Sequence, residues 1–442
     1  MFTKQSRHRQ LSPLTVIAGS FLLLIIIGTF LLKLPIATEV PISWVDALFV
    51  ATSGTTVTGL SVFDPGSTLT LFGEIVLLVL IQCGGLGLMI FAVALLALLR
   101  RKIGLKNRIY VQESLGQSTA GGMVKLVIWV LIFVFAFEGA AVILLSLHWI
   151  PEYGWNKGFY YSVFHAISAF NNAGFSLFPD NLVQFAGDPV VNIILSMMFI
   201  IGGLGFVVVM EIFQKKTFRE WSLHTKMMVV GTIILNIVAT ITLFILEYNN
   251  PDTIGNFSIY DKVLASYFQG VTPRTAGFNT IATGEMEDSS LLFTMILMFI
   301  GGGTASTASG IKLTTFIVIV LASISFVKGI QEPHLFGRSI RTEVLIRSLA
   351  ITTVSMFIIF FFIFLLTLTE DIAVLPLAFE VVSSFGTVGL STGITADLSS
   401  IGKVIICIVM FIGRIGPLTL FFLFLKQKRE TFKFPYDQVH TG

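Results

Sequence analysis

The sequence predicts an all-α membrane protein: four span, re-entrant pore helix, span repeats around a pseudo-fourfold pore, with eight transmembrane helices. Three observations carry this. Of the 442 residues, 55% are hydrophobic and only 12% charged, and the mean hydropathy is +0.89. Apolar runs and their short connectors use almost the whole length, so no sizeable soluble domain fits. Next, a polar loop holding a glycine recurs four times: Gly59, Gly174, Gly277 and Gly389 each follow an aromatic residue by ten positions (Phe49, Phe164, Tyr267 and Phe379). A serine stands six residues before the glycine in three copies (Ser53, Ser168, Ser383), with Val271 in the remaining one. Finally, a glycine cluster follows each loop glycine by 24 to 28 residues: Gly84-Gly85, Gly202-Gly203, Gly301-Gly302-Gly303 and Gly413. Two landmarks repeating in step divide the chain into residues 1–110, 111–222, 223–340 and 341–442, the last including a cytoplasmic C-terminal tail.

Repeat one begins at Ser12-Pro13, an N-cap followed by proline at the first helical position, and its helix is expected to run to about Leu34, before Pro35 and Pro41. Basic residues precede this run as in a signal peptide, but Leu14 to Leu32 is too long for one and no small-residue cleavage site stands out, so it is read as a retained span. The segment Ser43 to Thr55 makes a helix of roughly 18–20 Å, too short for a hydrocarbon core ~30 Å thick. It must enter and return, and irregular backbone at that depth is tolerated only beside protein or a water-filled cavity. A full span is expected from about Leu69 to Leu99, stopped by Arg100-Arg101-Lys102. The same parts follow in repeat two (Val124 to Leu147, Tyr160 to Phe170, then a span from Asp188-Pro189), repeat three (Met227 to Leu246, Asp261 to Gly270, Leu291 to Phe326) and repeat four (Leu345 to Leu368, Leu375 to Phe385, Gly402 to Leu425).

Charge sets the orientation. Five clusters, around Lys4, Arg100, Lys215, Arg338 and Lys426, hold 20 of the 28 basic residues, and the positive-inside bias puts them on the cytoplasmic side. Both termini are then cytoplasmic. Acidic residues such as Asp64, Asp180, Glu285 and Asp397 flank the glycine loops, which therefore open outward into a vestibule that concentrates cations. Cys83 and Cys407 lie inside apolar spans, and no histidine has metal-ligand spacing, so neither a disulfide framework nor a thiolate metal site is supported. There is no His-Glu-x-x-His, no nucleotide-binding Gly-Lys-Ser loop and no intramembrane Asp pair. An enzyme is not expected, nor a nucleic-acid partner, nor an organic cofactor.

Four inward half-helices with return loops at a common axis form the layout in which backbone carbonyls replace the water around a potassium ion. Glycine serves there because the carbonyls must point at the axis, at backbone angles a Cβ resists. The ion-binding residues are then Thr56, Val57, Thr58 and Gly59; Asn171, Asn172, Ala173 and Gly174; Arg274, Thr275, Ala276 and Gly277; and Gly386, Thr387, Val388 and Gly389, with K+ on the carbonyls of Val57, Asn172, Thr275 and Thr387. Only the glycine is common to all four, so discrimination against sodium is expected to be weaker than with four identical loops.

The chain resembles the membrane subunit of the Trk/Ktr/HKT superfamily of potassium transporters, closest to the bacterial Ktr type. The resemblance rests on the four loop glycines, on Gly301 to Lys312 (Gly-Gly-Gly-Thr-Ala-Ser-Thr-Ala-Ser-Gly-Ile-Lys) and on Phe411 to Pro417. No extra spans precede the first repeat, which favours the Ktr type. The resemblance implies potassium uptake across a bacterial plasma membrane by passive, channel-like conduction, with sodium as a candidate activator. It also implies a homodimer on a cytoplasmic ring of nucleotide-binding regulatory subunits of the RCK/KTN type. A serine at the first-repeat glycine goes with sodium permeation in this superfamily, and Gly59 points to potassium.

Residues Gly301, Gly302, Gly303, Thr304, Ala305, Ser306, Thr307, Ala308, Ser309 and Gly310 are the least helical part of any span. They form either a packed kink or a loop lining a cavity; the resemblance implies an intramembrane gate, completed by Lys312 and Arg414. A charge such as Arg414 in an apolar span costs at least ~2.5–3.5 kcal/mol, so it needs a role. It either faces the pore as the positive element of the gate, or anchors the loop, or does both. Arg274 and Glu380 are expected to pair behind the loops, and Glu138 to be a satisfied buried carboxyl or a subunit contact. The competing function is a sodium- or proton-coupled secondary transporter; such folds usually carry inverted or twofold repeats, whereas these four share one orientation.

Overall fold

In the computed structural model, which describes residues 13–87, 123–304 and 306–416, one helical pattern occurs four times. The first repeat has a long helix α1 (Pro13–Leu32), a short α2 (Trp44–Thr56) and, after the return loop, α3 (Leu71–Leu86). In the second, α4 (Met123–Tyr153) and α5 (Trp155–Phe170) precede α6 (Pro189–Leu204) and α7 (Phe206–Gln214). The third consists of α8 (Leu223–Glu247), α9 (Ile259–Val271), α10 (Asp288–Phe299) and α11 (Leu313–Val327). In the fourth, α12 (Thr342–Thr369) and α13 (Val374–Gly386) lead to α14 (Ser400–Ile415).

Local chemistry starts these helices where the chain must turn. Ser43 accepts from the Asp46 amide while Asp46 reaches back, a reciprocal cap on α2. Asp188 caps α6 with Pro189 at its first position, and Ser222, Ser258 and Ser399 cap α8, α9 and α14.

Four helices, α1, α4, α8 and α12, are long and apolar enough to cross a membrane, and the bent pair α6 and α7 would make a fifth. Eight continuous spans are therefore not seen among the described residues. The physical reason lies in the segments after each return loop. Gly205, at φ 101°, turns α6 into α7 through 95°. The expected span from Leu291 to Phe326 is two helices separated by the small-residue stretch 301–310. Helices α3 and α14 end at Gly87 (φ 81°) and Gly416 (φ 91°), and their expected continuations to Leu99 and Leu425 lie outside the described residues.

Packing closes the four repeats into a cycle. Each long helix lies on the short helix of its own repeat: α1 on α2, α4 on α5, α8 on α9 and α12 on α13. Each segment after the return loop lies on the short helix of the next: α3 on α5, α6 on α9, α10 on α13 and, completing the circle, α14 on α2. Three large apolar clusters fill the junctions between neighbouring repeats. Outside, the long helices present apolar side chains to their surroundings, with Phe30 59%, Leu147 72% and Phe357 72% exposed, a surface suited to lipid and not to water. Carboxylates brace these helices: Lys403 Nζ meets Asp46 Oδ1 at 2.9 Å across repeats four and one, while within single repeats His148 meets Asp188 at 2.5 Å and Glu370 accepts from Ser399 Oγ at 2.6 Å.

Candidate ion pathway

The short helices end alike. In α2, Val57 takes a left-handed conformation (φ 57°, ψ 52°), and in α13 Thr387 does the same (φ 48°, ψ 54°). Asn172 (φ 60°) and Thr275 (φ 70°) repeat it after α5 and α9. A Schellman-type closure accompanies it: the amides of Thr58, Ala173 and Val388 donate to the carbonyls of Ser53, Ser168 and Ser383 at 2.8, 2.8 and 2.9 Å, and Ala276 donates to Thr272 at 3.0 Å. Two residues after each left-handed position comes the loop glycine, again at positive φ (96°, 69°, 77° and 95° for Gly59, Gly174, Gly277 and Gly389), while the residue between is not left-handed. This alternation of hand is what glycine permits and a Cβ resists.

The four glycines meet. A Cβ added to Gly59 would lie 2.5 Å from the carbonyl oxygen of Ala173, one on Gly174 2.9 Å from that of Ala276, one on Gly277 2.2 Å from that of Val388, and one on Gly389 2.2 Å from that of Thr58. Carbonyls and glycines thus interleave around a closed ring, each repeat offering one oxygen beside its neighbour's glycine. A side chain at any of these four positions would collide with the backbone of a neighbouring repeat. The side chains of these loops are buried in the wall.

The serine position noted in the sequence holds the returning strand. Ser53 Oγ accepts from the Gly59 amide and Ser383 Oγ from the Gly389 amide, each at 3.1 Å. Ser168 Oγ instead donates to Phe175 O at 2.7 Å. In repeat three, where Val271 occupies the slot, the next residue takes over: Thr272 Oγ1 donates to Phe278 O at 2.5 Å. Sequence reading missed Thr272, although a hydroxyl one place from the serine register was a usable signal.

Beyond the glycines a cavity of about 730 Å³ opens, lined by the residues that follow them, among them Asp64, Asp180 and Glu285. Its acidic lining agrees with the vestibule expected from charge. On the opposite side lies the stretch 301–310. Its backbone is pinned to α6 by Gly303 N to Gly203 O (2.7 Å) and Thr307 N to Gly202 O (3.3 Å). From the neighbouring repeat four, Arg414 donates to Thr307 O (2.5 Å) and Ser309 Oγ (3.0 Å), and also to Gly84 O (2.5 Å) and Gly85 O (3.1 Å) at the end of α3. A cation at a helix C-terminus completes carbonyls that have no helical partner, so this half-buried guanidinium is satisfied without a carboxylate. Lys312 Nζ donates to Ala308 O (2.9 Å), Ser306 Oγ to Gly303 O (2.8 Å), and Thr304 Oγ1 lies 3.1 Å from His224 Nε2. Gly310 turns at φ 68°, and Ala305 lies outside the described residues.

The glycine clusters have a specific use. A Cβ on Gly84, Gly202 or Gly413 would lie 1.9, 2.1 or 2.1 Å from the carbonyl oxygen of Thr55, Phe170 or Phe385, each four residues before its loop glycine. These glycines let the following helix sit against the end of the short helix. In repeat three the equivalent Gly301 packs instead on Ser309 O of its own loop, 1.9 Å from an added Cβ.

Several expected side-chain roles change. Arg274 and Glu380 do not pair: Arg274 Nη1 meets Asn236 Oδ1 on α8 at 3.4 Å, and Glu380 accepts from Thr395 Oγ1. Arg274 follows its short helix and reaches α8 of its own repeat, while Glu380 lies inside α13 and reaches the return strand of its own repeat. Thr56 Oγ1 bonds Thr52 O (2.7 Å) and Thr58 Oγ1 (2.8 Å) within the wall. The Asn171 amide points away from the ring, donating to Gln82 Oε1 (2.7 Å) and Glu138 Oε1 (3.2 Å), and Gln82 Nε2 donates to Glu138 at 3.0 Å. Glu138 is thereby a satisfied buried carboxyl. Gly386 packs near Met298 O, behind the ring.

A helical body with an apolar outer face, four return loops meeting at their glycines and an acidic cavity above them define a membrane protein of the ion-transport class. The TrkH model, described as cation transport protein, matches residues 3–433, and the chain belongs to this family. It is 52% identical over 431 residues to Ktr system potassium uptake protein B of Bacillus subtilis, covering 98% of this chain and 97% of that one. It is 40% identical to the Vibrio alginolyticus protein of the same name (97% and 94% covered) and 36% identical to the potassium/sodium uptake protein NtpJ of Enterococcus hirae (99% of each). The crystal structure of the potassium transporter TrkH from Vibrio parahaemolyticus shares the fold, with a TM-score of 0.75, 20% identity, and coverage of 95% of this chain and 86% of that one. These relatives are ion transport proteins and not enzymes.

Proposed function

We propose that this chain is the membrane subunit of a potassium uptake system, and that it conducts passively through the ring of the four loop glycines. The observation that carries the reading is the interleaving of Gly59, Gly174, Gly277 and Gly389 with the carbonyls of Ala173, Ala276, Val388 and Thr58, which sets a backbone oxygen beside each of the four glycines. A potassium ion entering there exchanges hydration for carbonyls, with further oxygens from Val57, Asn172, Thr275 and Thr387 at the left-handed positions. Names of relatives at 52% and 40% identity support potassium as the cargo, and NtpJ supports some sodium passage. The interdigitated packing of four repeats, 1–110, 111–222, 223–340 and 341–442, supports a pseudo-fourfold body; the reading takes the segments after each return loop as completing eight crossings and, from the placement of the basic clusters, both termini as cytoplasmic.

In this reading residues 301–310 with Lys312 are the gate. Bonds from Arg414 to Thr307 and Ser309 on one side, and from the loop to Gly202 and Gly203 on the other, hold it across the path. Release requires a force from elsewhere, for which the reading assigns a cytoplasmic nucleotide-binding ring of the RCK/KTN type beneath a homodimer, with sodium as a candidate activator. The test is reconstitution of the chain in liposomes with imposed ion gradients. Potassium flux that follows its electrochemical gradient alone supports conduction, and a reversal potential that moves with pH or sodium in fixed ratio supports coupled transport instead.

A further inference from the structure

Asn172 stands apart among the four left-handed loop positions because its side chain bonds outside the loops. Its amide lies 2.8 Å from Thr307 Oγ1 of the stretch 301–310, and its other end lies 3.3 Å from Thr275 Oγ1 of the neighbouring loop. The orientation that satisfies both neighbours turns the amide nitrogen to Thr307 Oγ1 and to Phe170 O (3.3 Å), leaving its oxygen to accept from Thr275. Thr307 Oγ1 also donates to Phe170 O at 3.3 Å. Thr307, Asn172 and Thr275 are all buried, so none of these bonds exchanges with bulk water. Among the described residues, Val57 has no polar side chain and Thr387 Oγ1 has no partner.

From this chain of three side chains we infer that Thr307, a residue of the intramembrane stretch and outside the ring, determines how well the ring discriminates potassium from sodium. It is a positioning residue, acting through Asn172. The Asn172 carbonyl shares its peptide plane with the Ala173 amide, which holds it from one side by donating to Ser168 O at 2.8 Å; the Asn172 side chain supplies a second hold from the other side. The Thr307 bond fixes one end of the side-chain amide and Thr275 the other, which stiffens the Asn172 backbone against tilting of its carbonyl and couples the loops of repeats two and three. Discrimination depends on the number and orientation of carbonyl dipoles around the ion. Removing Thr307, by mutation or by movement of the loop, lets this quarter of the ring relax. An open path is then also a less selective one.

The inference rests on the reading of the ring as the conducting site. The experiment measures the potassium to sodium permeability ratio in liposomes for the full chain and for Thr307→Val, Thr307→Ser, Ser306→Ala and Gly59→Ser. Loss of one buried hydrogen bond corresponds to a fall in the ratio of about fivefold for Thr307→Val, with Thr307→Ser close to the wild type. Ser306→Ala, whose hydroxyl bonds only within the loop, alters flux without altering the ratio. Asn172→Gly keeps the left-handed backbone and removes the same bond from the ring side; it must lower the ratio too, and it decides the matter if Thr307→Val fails to fold. An unchanged ratio in Thr307→Val or in Asn172→Gly, or an equal fall in Thr307→Ser, overturns the inference. If Gly59→Ser shifts the ratio while these do not, the inference alone is wrong; if Gly59→Ser has no effect either, the conducting-ring reading falls with it.

Discussion

Gly59→Ser inserts a side chain into the one place where the ring has no room. The serine Cβ would stand 2.5 Å from Ala173 O, 3.2 Å from the Gly174 Cα and 3.3 Å from the Gly389 Cα, against 3.4–4 Å for ordinary contact. All three neighbours are backbone, so relief requires moving the oxygen that serves as a ligand. The backbone of residue 59, at φ 96°, adds its own cost, roughly 1–2 kcal/mol for a residue with a Cβ. If about 2 kcal/mol falls on the ion-bound geometry, potassium binds roughly thirtyfold more weakly, while sodium, which needs a less regular cage, loses less. Uptake of both ions by a potassium-uptake-deficient cell carrying either protein measures this. The expected result is a potassium KM raised at least about tenfold together with a raised sodium share. Gly329→Ala is the control for backbone strain alone, because Gly329 is at φ 68° with no atom within 4 Å of an added Cβ. Unchanged potassium and sodium uptake in Gly59→Ser at normal expression would refute the reasoning.

Other substitutions separate the remaining parts. Arg414→Gln removes most of the four bonds between α14, the 301–310 stretch and α3; hydrogen bonds to a charged group are worth about 1.5–3 kcal/mol each, so unregulated potassium flux is expected to rise at least about tenfold in liposome assays, and unchanged flux would remove Arg414 from the gate. Reversing both Arg274 and Glu380 should not rescue either single reversal, since their partners are Asn236 and Thr395; recovery of uptake in the double variant would show that they interact after all. Gly84→Ala drives a Cβ to 1.9 Å from Thr55 O and should lower thermal stability in detergent by about 1–3 kcal/mol, whereas Gly139→Ala, with no neighbour within 4 Å, should be near neutral. Burial would raise the Asp46 carboxyl, but bonds from Ser43 and Lys403 outweigh it and hold it below the ordinary 3.8. Its contribution is therefore present above that value and lost as pH falls through the depressed one. Thermal scans of wild type and Lys403→Met should differ by about 0.2–1 kcal/mol at neutral pH and converge in strong acid; a gap that persists there contradicts the assignment.

Much of this organisation was legible in the sequence because it is written in backbone demands. Gly59, Gly174, Gly277 and Gly389 mark positions where a Cβ collides with a neighbouring carbonyl, and such a demand survives as glycine in every copy. Ser53, Ser168 and Ser383 likewise recur because the returning strand needs a hydroxyl. The glycine clusters were visible but their partners were not: Gly84, Gly202 and Gly413 serve contact with a short-helix carbonyl, which spacing alone does not identify. Side-chain pairing was the least legible. Arg274 stands three residues before its loop glycine and Glu380 nine before its own, so the two do not occupy equivalent places, and their partners are Asn236 and Thr395. The link from Thr307 to Asn172 joins residues 135 positions apart, and nothing local in either segment announces it. The break between α10 and α11 was legible because residues 301–310 are only glycine, alanine, serine and threonine, whereas the 95° bend between α6 and α7 was not, because it rests on the single Gly205 inside an apolar run.

The central claim is that a monovalent cation sits among the backbone oxygens of the glycine ring. Anomalous diffraction from crystals of the protein soaked in rubidium or thallium tests it most directly. The account predicts a peak on the axis of the ring, within coordination distance of the carbonyls of Thr58, Ala173, Ala276 and Val388 or of Val57, Asn172, Thr275 and Thr387. A ring without density, with the cation held by side chains elsewhere in the chain, would contradict it.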